Sequence, residues 1–116
     1  MASVLSTSRL KNVKTDLTTT DVTTVYTCPP LTVSVIQSML VSEDSGNADA
    51  ITVTITNGSD VFSVYKDKAI GSKGTEELFT RDLILTSGDI IKVTAATANR
   101  LHVITSIIEI PKTTAA

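Results

Sequence analysis

The most constraining feature of this sequence is a strict alternation followed by a turn, in residues 51–65, ITVTITNGSDVFSVY. Ile51, Val53 and Ile55 alternate with threonines, which is the period-two pattern of a β-strand with one face on a core. The Asn57-Gly58 pair tolerates positive φ, which a type I′ hairpin turn requires at both central residues. The sequence therefore predicts a β-hairpin here.

Two registers of this hairpin are compatible with the pattern. A two-residue loop places Val53 opposite Phe62 and Ile51 opposite Val64, whereas a four-residue loop pairs Ile55 with Phe62 and Val53 with Val64. Both registers keep the apolar side chains on one face. A three-residue loop would invert the phase unless a bulge restored it.

The rest of the chain repeats strand patterns and has no convincing helical period. Turn signals recur about every ten residues. We predict a second hairpin around the turn at 86–89 and a bulge or bend at 37–38, where alternation is lost. Residues 76–79 fit either a short strand or one helical turn. The main strand patterns lie at 22–27, 31–41, 51–65, 83–85, 90–95 and 101–110.

These patterns predict an all-β fold, an antiparallel two-sheet β-sandwich of jelly-roll or immunoglobulin-like type with about seven to eight strands. A chain of 116 residues buries enough surface for one core without disulfides or metals. Because aromatic residues make up only 3% and Trp is absent, the core must consist of Val, Ile and Leu. We expect one domain at 22–110, after an N-terminal arm or edge strand (1–21) and before a C-terminal tail (111–116).

Two segments are candidates for contacts with other proteins. The last strand has apolar residues on both faces, so it is either central to the sandwich or covered by a neighbouring subunit. The basic residues near the N-terminus fit a solvated face, and anchoring to an acidic partner is the sharper alternative. The candidate interface residues are Arg9, Lys11, Lys14, Ile104, Ile108 and Ile110.

The sequence gives little basis for catalysis or cofactor binding. Cys28 is the only cysteine, so no intrachain disulfide can form, and it is expected to be a small buried hydrophobe. His102 is the only histidine and is expected to be a partly exposed strand residue rather than a base. Two such residues are too few for a zinc site. We therefore predict no catalytic residue, no metal and no cofactor.

Three further motifs give only weak support for a binding or catalytic site. The loop with Glu43, Asp44, Asn47 and Asp49 offers oxygen ligands, but it lacks the spacing and the late bidentate glutamate of a calcium loop. The Asn57-Gly58-Ser59 glycosylation sequon is already explained by the turn. The carboxylates that could form a glycosidase acid pair lack the aromatic residues that stack on sugars; they are Glu76, Glu77, Asp60 and Asp67.

Charge and hydropathy limit the partners and the compartment. The formal net charge of −2 gives no electrostatic footprint for nucleic acid. No segment approaches 18 consecutive apolar residues, so no membrane-spanning helix is expected. The N-terminus lacks the apolar run of a signal peptide, so synthesis in a reducing cytosol is expected.

A set of ordered motifs resembles small virion structural proteins of tailed bacteriophages, including head-decoration, neck and tail-accessory proteins. The motifs run from 24 to 110, and the most specific is LILTSGDIIKVTA at 83–95, followed by ANRLHV. Such proteins often have a Gly-containing turn after the proline of the first strand, where this chain has Pro29-Pro30-Leu31-Thr32. The resemblance concerns scaffold features, and no catalytic or binding residue is carried over.

The resemblance implies a non-enzymatic virion protein, assembled in the host bacterial cytoplasm, that binds the capsid or neck as a decoration or cement protein. Its expected partners are a major capsid, portal, neck or tail protein and further copies of itself, since symmetric assembly adds avidity. The alternative is a receptor- or glycan-binding module of a tail or fibre. Loops 42–49 and 66–75 would then form its recognition surface.

Overall fold

The computed structural model describes residues 8–112, and these residues form two antiparallel β-sheets without a helix. No helix able to cross a membrane therefore occurs in this range. The strands are β1 (Arg9–Leu17), β2 (Thr23–Thr27), β3 (Thr32–Glu43), β4 (Asp49–Asn57), β5 (Asp60–Ile70), β6 (Thr75–Glu77), β7 (Leu83–Leu85), β8 (Ile90–Ala95) and β9 (Leu101–Pro111).

The predicted all-β sandwich is confirmed, and its topology is that of a jelly roll. Sheet I has the order β1-β9-β3, with β6 and β7 both on the free side of β3, and sheet II has the order β2-β8-β4-β5. The first two strands lie in different sheets, unlike those of an immunoglobulin domain. The ninth strand arises because β6 and β7, of three residues each, share one position beside β3.

Strand β9 is the centre of sheet I. It pairs with β1 from Leu101 to Glu109 and with β3 from Leu101 to Pro111. Strand β1 is thus an edge strand over its whole length. The two-sided apolar pattern of β9 follows from this position, since one face meets the core and the other lies on the outside of a central strand.

The predicted bulge at 37–38 is present. The pairing of β3 with β9 shifts register between Ile36 and Ser38. Ile36 and Met39 are consequently both fully buried, although they are three positions apart in a strand where inward positions alternate. Before the bulge, the side chains of β3 that face the core have even residue numbers, and after it they have odd numbers. This change explains the irregular sequence pattern.

The 51–65 hairpin forms, with two corrections. Ile55 pairs with Phe62, as the four-residue-loop register predicts, but bulges on either side of Val53 place it opposite Tyr65 rather than Val64. The turn residues are Gly58 and Ser59, and only Gly58 has positive φ, at 59°. This is the pattern of a type II′ turn, with glycine at the first central position, rather than the predicted type I′.

The predicted hairpin at 83–95 is wrong. Strand β7 pairs with β3 in sheet I, whereas β8 pairs with β2 and β4 in sheet II, so the turn between them crosses from one sheet to the other. The backbone of this turn forms hydrogen bonds with Cys28, just after the end of β2. Cys28 N donates to Asp89 O (2.8 Å), and Gly88 N donates to Cys28 O (3.0 Å). Local turn signals do not reveal which strands become partners.

The Pro29-Pro30-Leu31-Thr32 segment replaces a glycine turn with a strained leucine. Leu31 has φ of 55° and is 61% exposed. Its carbonyl accepts a 2.7 Å hydrogen bond from Lys112 N, beyond the end of β9. The left-handed conformation therefore occurs without glycine, and tertiary contacts hold it in place.

The core between the sheets is mainly aliphatic, and it also contains a group of buried polar side chains that bond to one another. Tyr26 of sheet II donates its hydroxyl hydrogen to Glu109 and lies 2.7 Å from Ser34 Oγ, both in sheet I. Glu109 also forms an ion pair with Lys11, at 3.5 Å from Nζ to Oε2. Burial, followed by the bond to Glu109, raises the pKa of Tyr26. This group joins the sheets at the Cys28 end of the sandwich.

Candidate interaction surface

The two residues with the most reactive side chains lie far apart. Cys28 is buried, and its Sγ lies 3.3 Å from Ser34 Oγ and 3.4 Å from the Thr32 carbonyl oxygen. His102 lies on the outer face of sheet I at the opposite end of β9 from these neighbours. The two side chains therefore form no catalytic pair.

His102 lies in a shallow depression of about 310 Å³. Its Nε2 is 3.4 Å from Asp16 Oδ1 and its Nδ1 is 3.6 Å from Asp44 Oδ2. Ser42 pairs with it across the strands. Both ring nitrogens face carboxylates, so neither is left to accept a proton from the serine hydroxyl, as a catalytic triad requires.

Glu43, the central residue of the candidate calcium loop, joins the two predicted recognition loops. Its carboxylate accepts hydrogen bonds from the Ser45 side chain and from the backbone N–H groups of Ser45 (2.8 Å), Gly46 (3.0 Å) and Lys73 (3.0 Å). Burial opposes ionisation, but these bonds outweigh it and lower the pKa of Glu43 from 4.5 to about 2. Loops 42–49 and 66–75 are therefore fastened together.

Four of the other acidic candidates each have a separate partner. Asp49 accepts a bond from Thr97 N (3.1 Å), Glu76 pairs with Lys68 (3.8 Å), and Asp67 accepts one from Thr52. Glu77 bonds Ser38 and the Met39 backbone. Within residues 8–112 no three metal-ligating side chains converge.

The side chain of Asn57, the asparagine of the glycosylation sequon, forms a hydrogen bond within the fold. Asn57 Nδ2 donates to Asp89 Oδ1 at 2.6 Å, and Asp89 Oδ2 accepts from Thr86 N at 2.9 Å. These bonds, led by the one from Asn57, lower the pKa of Asp89. The contact joins the β4–β5 turn to the crossing between β7 and β8.

The three basic candidates on β1 do not share one face. Lys11 lies on the inward phase and reaches Glu109, whereas Lys14 lies on the outward phase and donates to Asn12 Oδ1 at 2.6 Å. Arg9 is exposed at the start of the strand. Of these residues, Lys14 is the one that borders the outer face of sheet I.

The outer face of sheet I carries aliphatic side chains in rows across the sheet, and the polar row Asn12–Ser106–Ser38 lies between two of these rows. One row across the sheet is Leu10–Ile108–Val35–Ile84, and a second begins with Lys14 and ends with Glu77. Leu10 is 82% exposed and Ile84 63%, which is unusual for large apolar side chains. We call this surface the aliphatic face; its residues are Leu10, Val33, Val35, Leu40, Ile84, Ile104, Ile108 and Ile110.

The outer face of sheet II is mostly polar by contrast, with Val22 and Val61 as its exposed aliphatic residues. It forms a wide, open depression of about 570 Å³ around β4 and β8. The residues on these two strands that line it are Thr52, Thr54, Thr56, Lys92 and Thr94. The two sides of the sandwich therefore differ in chemistry, and the aliphatic face is the side that favours contact with a protein surface.

Residues 8–112 therefore form a jelly-roll β-sandwich with one aliphatic outer face. No protein-family model and no curated protein matches the chain. Solved structures match by fold: a chain from Bacillus endospore appendages, which form disulfide-linked pili, aligns with a TM-score of 0.56 at 11% identity over 92% of this chain and 90% of that chain.

A chain from the acid-stable capsid of Helicobacter pylori bacteriophage KHP30 aligns with a TM-score of 0.55 at 12% identity, over 90% of this chain and 89% of that one. A pentameric capsid protein from metagenomic phage sequences aligns with a TM-score of 0.46 at 17% identity, over 87% and 60% of the two chains. At these identities, the first two matches show that the fold is shared.

Sequence reasoning found part of the aliphatic face. Ile104, Ile108 and Ile110 stand out because β9 is apolar on both faces. Leu10 and Ile84 were missed, since Leu10 lies in a mostly polar strand and Ile84 in a strand of three residues. Only the register across four strands brings them together, and no local pattern encodes that register.

Proposed function

We propose that this protein is a non-enzymatic structural subunit of a tailed-phage virion, which binds the capsid or neck as a decoration or cement protein. The observation that carries the proposal is the aliphatic face, because a large exposed apolar surface favours contact with other subunits. The fold shared with a phage capsid chain supports the virion context.

The cysteine content separates this proposal from a pilus role of the kind the endospore appendages have. Disulfide-linked pili need thiols that reach a neighbouring subunit, whereas Cys28 is the only cysteine here and is buried. Non-covalent contact through apolar surface is the mode of assembly that these residues support.

The aromatic residues argue against the alternative of a glycan-binding module. Tyr26 is buried and Tyr65 packs on Phe79 at 6.2 Å between ring centroids, so only Phe62 presents an exposed ring in the described range. Sugar recognition usually needs such rings for stacking. Glu43 also joins loops 42–49 and 66–75, so the carboxylate best placed between these loops is already used in hydrogen bonds.

The test is reconstitution on particles. Phage particles assembled without this protein would be incubated with the purified chain, and bound copies per particle counted by quantitative mass spectrometry and located in a density map. We expect saturable binding at symmetry-related sites on the head or neck. Binding to a defined glycan on an array, with no saturable binding to particles, would contradict the proposal and favour the alternative.

A further inference from the structure

We propose that the aliphatic face binds a second copy of this chain, face to face, about a two-fold axis that runs parallel to the strands between β9 and β3. The inference deepens the proposed function by naming the partner of this face. It rests on the order of charges across sheet I and on the size of the face.

The charges lie at opposite ends of one row. Across the sheet this row reads Lys14–Ile104–Leu40–Glu77, a cation, two aliphatic residues and an anion. Lys14 and Glu77 are both exposed. The row Leu10–Ile108–Val35–Ile84, which the polar row Asn12–Ser106–Ser38 separates from it, is entirely aliphatic.

A two-fold axis along the strands makes this row complementary to itself. It reverses the order of the strands, so Lys14 of one copy faces Glu77 of the other, and Ile104 faces Leu40. In the aliphatic row, Leu10 meets Ile84. Lys14 keeps free donors besides its bond to Asn12, and a carboxylate accepts more bonds than the two that Glu77 makes within the chain.

The other in-plane axis, perpendicular to the strands, gives a poor match. It would place each strand opposite the same strand of the other copy, running in the reverse direction. Lys14 would then face Leu10, and Glu77 would face Ile84. Both charges would then lose water without gaining a partner. Charge complementarity therefore selects the axis along the strands.

The area fits a reversible dimer. A face four strands wide and ten residues long covers on the order of 600 Å², since strands lie about 4.8 Å apart and rise about 3.3 Å per residue. Two such faces bury about 1,200 Å² in total, at the lower end of the range for specific interfaces. We expect a dimer that dissociates on dilution.

The first test compares two single charges at matched sites. Ile84→Asp places a charge on the aliphatic face, and Val61→Asp places one on the edge strand of sheet II; both parent residues are 63% exposed. By sedimentation velocity over a dilution series, Ile84→Asp should weaken the dimer by about tenfold or more. Val61→Asp should leave it unchanged. Equal effects of the two variants, or a wild type that is monomeric throughout, would overturn the inference.

The second test swaps the charges. Lys14→Glu and Glu77→Lys should each weaken the dimer because like charges then meet, and the double variant should recover to within about threefold of wild type. Thermal unfolding of every variant separates loss of the dimer from loss of the fold. A double variant no better than the weaker single one would rule out this two-fold arrangement.

Each of the two proposals can be contradicted without contradicting the other. A wild type that never dimerises would overturn this inference and leave particle binding to be decided by its own experiment. A dimer that does not bind particles would overturn the proposed function alone.

Discussion

Buried polar side chains in this sandwich fall into two groups, those with partners and one without. Glu43 and Glu109 are almost completely buried, yet both carboxylates have hydrogen bonds or an ion pair. Thr105, at the middle of β9, is fully buried and its hydroxyl has no partner in the described structure. The polar groups with partners fasten loops and sheets together, and the one without is a source of instability.

Thr105→Val should stabilise the protein. Valine has nearly the same shape, and replacing an unpartnered buried hydroxyl by a methyl group should raise the free energy of unfolding by about 1 kcal/mol. Denaturant unfolding measures this change. Thr105→Ser is the control, because it keeps the hydroxyl and removes a methyl group, so it should destabilise. A loss of stability in Thr105→Val would mean that the hydroxyl does have a partner.

The Glu43 carboxylate should make the fold sensitive to acid in a defined window. Its pKa is lowered on folding from 4.5 to about 2, so its stabilising effect is complete above pH 4.5 and is lost as the pH falls towards 2. Glu43→Gln should reduce stability at neutral pH and flatten its pH dependence between these values. Thermal unfolding across this range checks the prediction.

Glu76→Gln is the matched control for that experiment, because Glu76 has a single ion pair with Lys68 and both side chains are over 40% exposed. It should change neither neutral stability nor the acid profile noticeably. An identical acid profile for wild type and Glu43→Gln would show that other groups set the acid limit.

At the scale of elements, irregularities rather than regular strands decide how the sheets are built. The bulge at Gln37 changes the inward phase of β3, and the bulges around Val53 set the register of β4 with β5. The β4–β5 turn depends on the positive φ of Gly58. Each irregularity is one residue long, and each determines which side chains of a whole strand face the core.

Gly58→Ala should destabilise the hairpin through conformation alone. A Cβ at this position would meet nothing within 4 Å, so the effect comes from the left-handed φ of 59° and should be about 1 kcal/mol. Gly71→Ala is the control, since its Cβ is equally unobstructed and its φ is not positive; it should be neutral or slightly stabilising. Equal unfolding midpoints for both variants would contradict the prediction.

At the scale of the whole molecule, the sequence predicts that two sheets form but not which strands are neighbours within them. The alternation at 51–55 and the two-sided pattern of β9 predicted a hairpin and a central strand, and both are present. The β7–β8 pairing was wrong because a turn signal is the same within a sheet and between sheets. Of the eight residues of the aliphatic face, the sequence singled out the three on β9, because Leu10 and Ile84 join it only through long-range register.

The central place of β9 also bears on how the chain is made. Strands β1 and β3 both bond to β9 and not to each other, so each has an unpaired edge until Leu101–Pro111 has been translated. A nascent chain on the ribosome therefore exposes two incomplete sheet edges and the inner side of sheet I. Chaperone protection, or slow synthesis across β9, would bear directly on the yield of native protein.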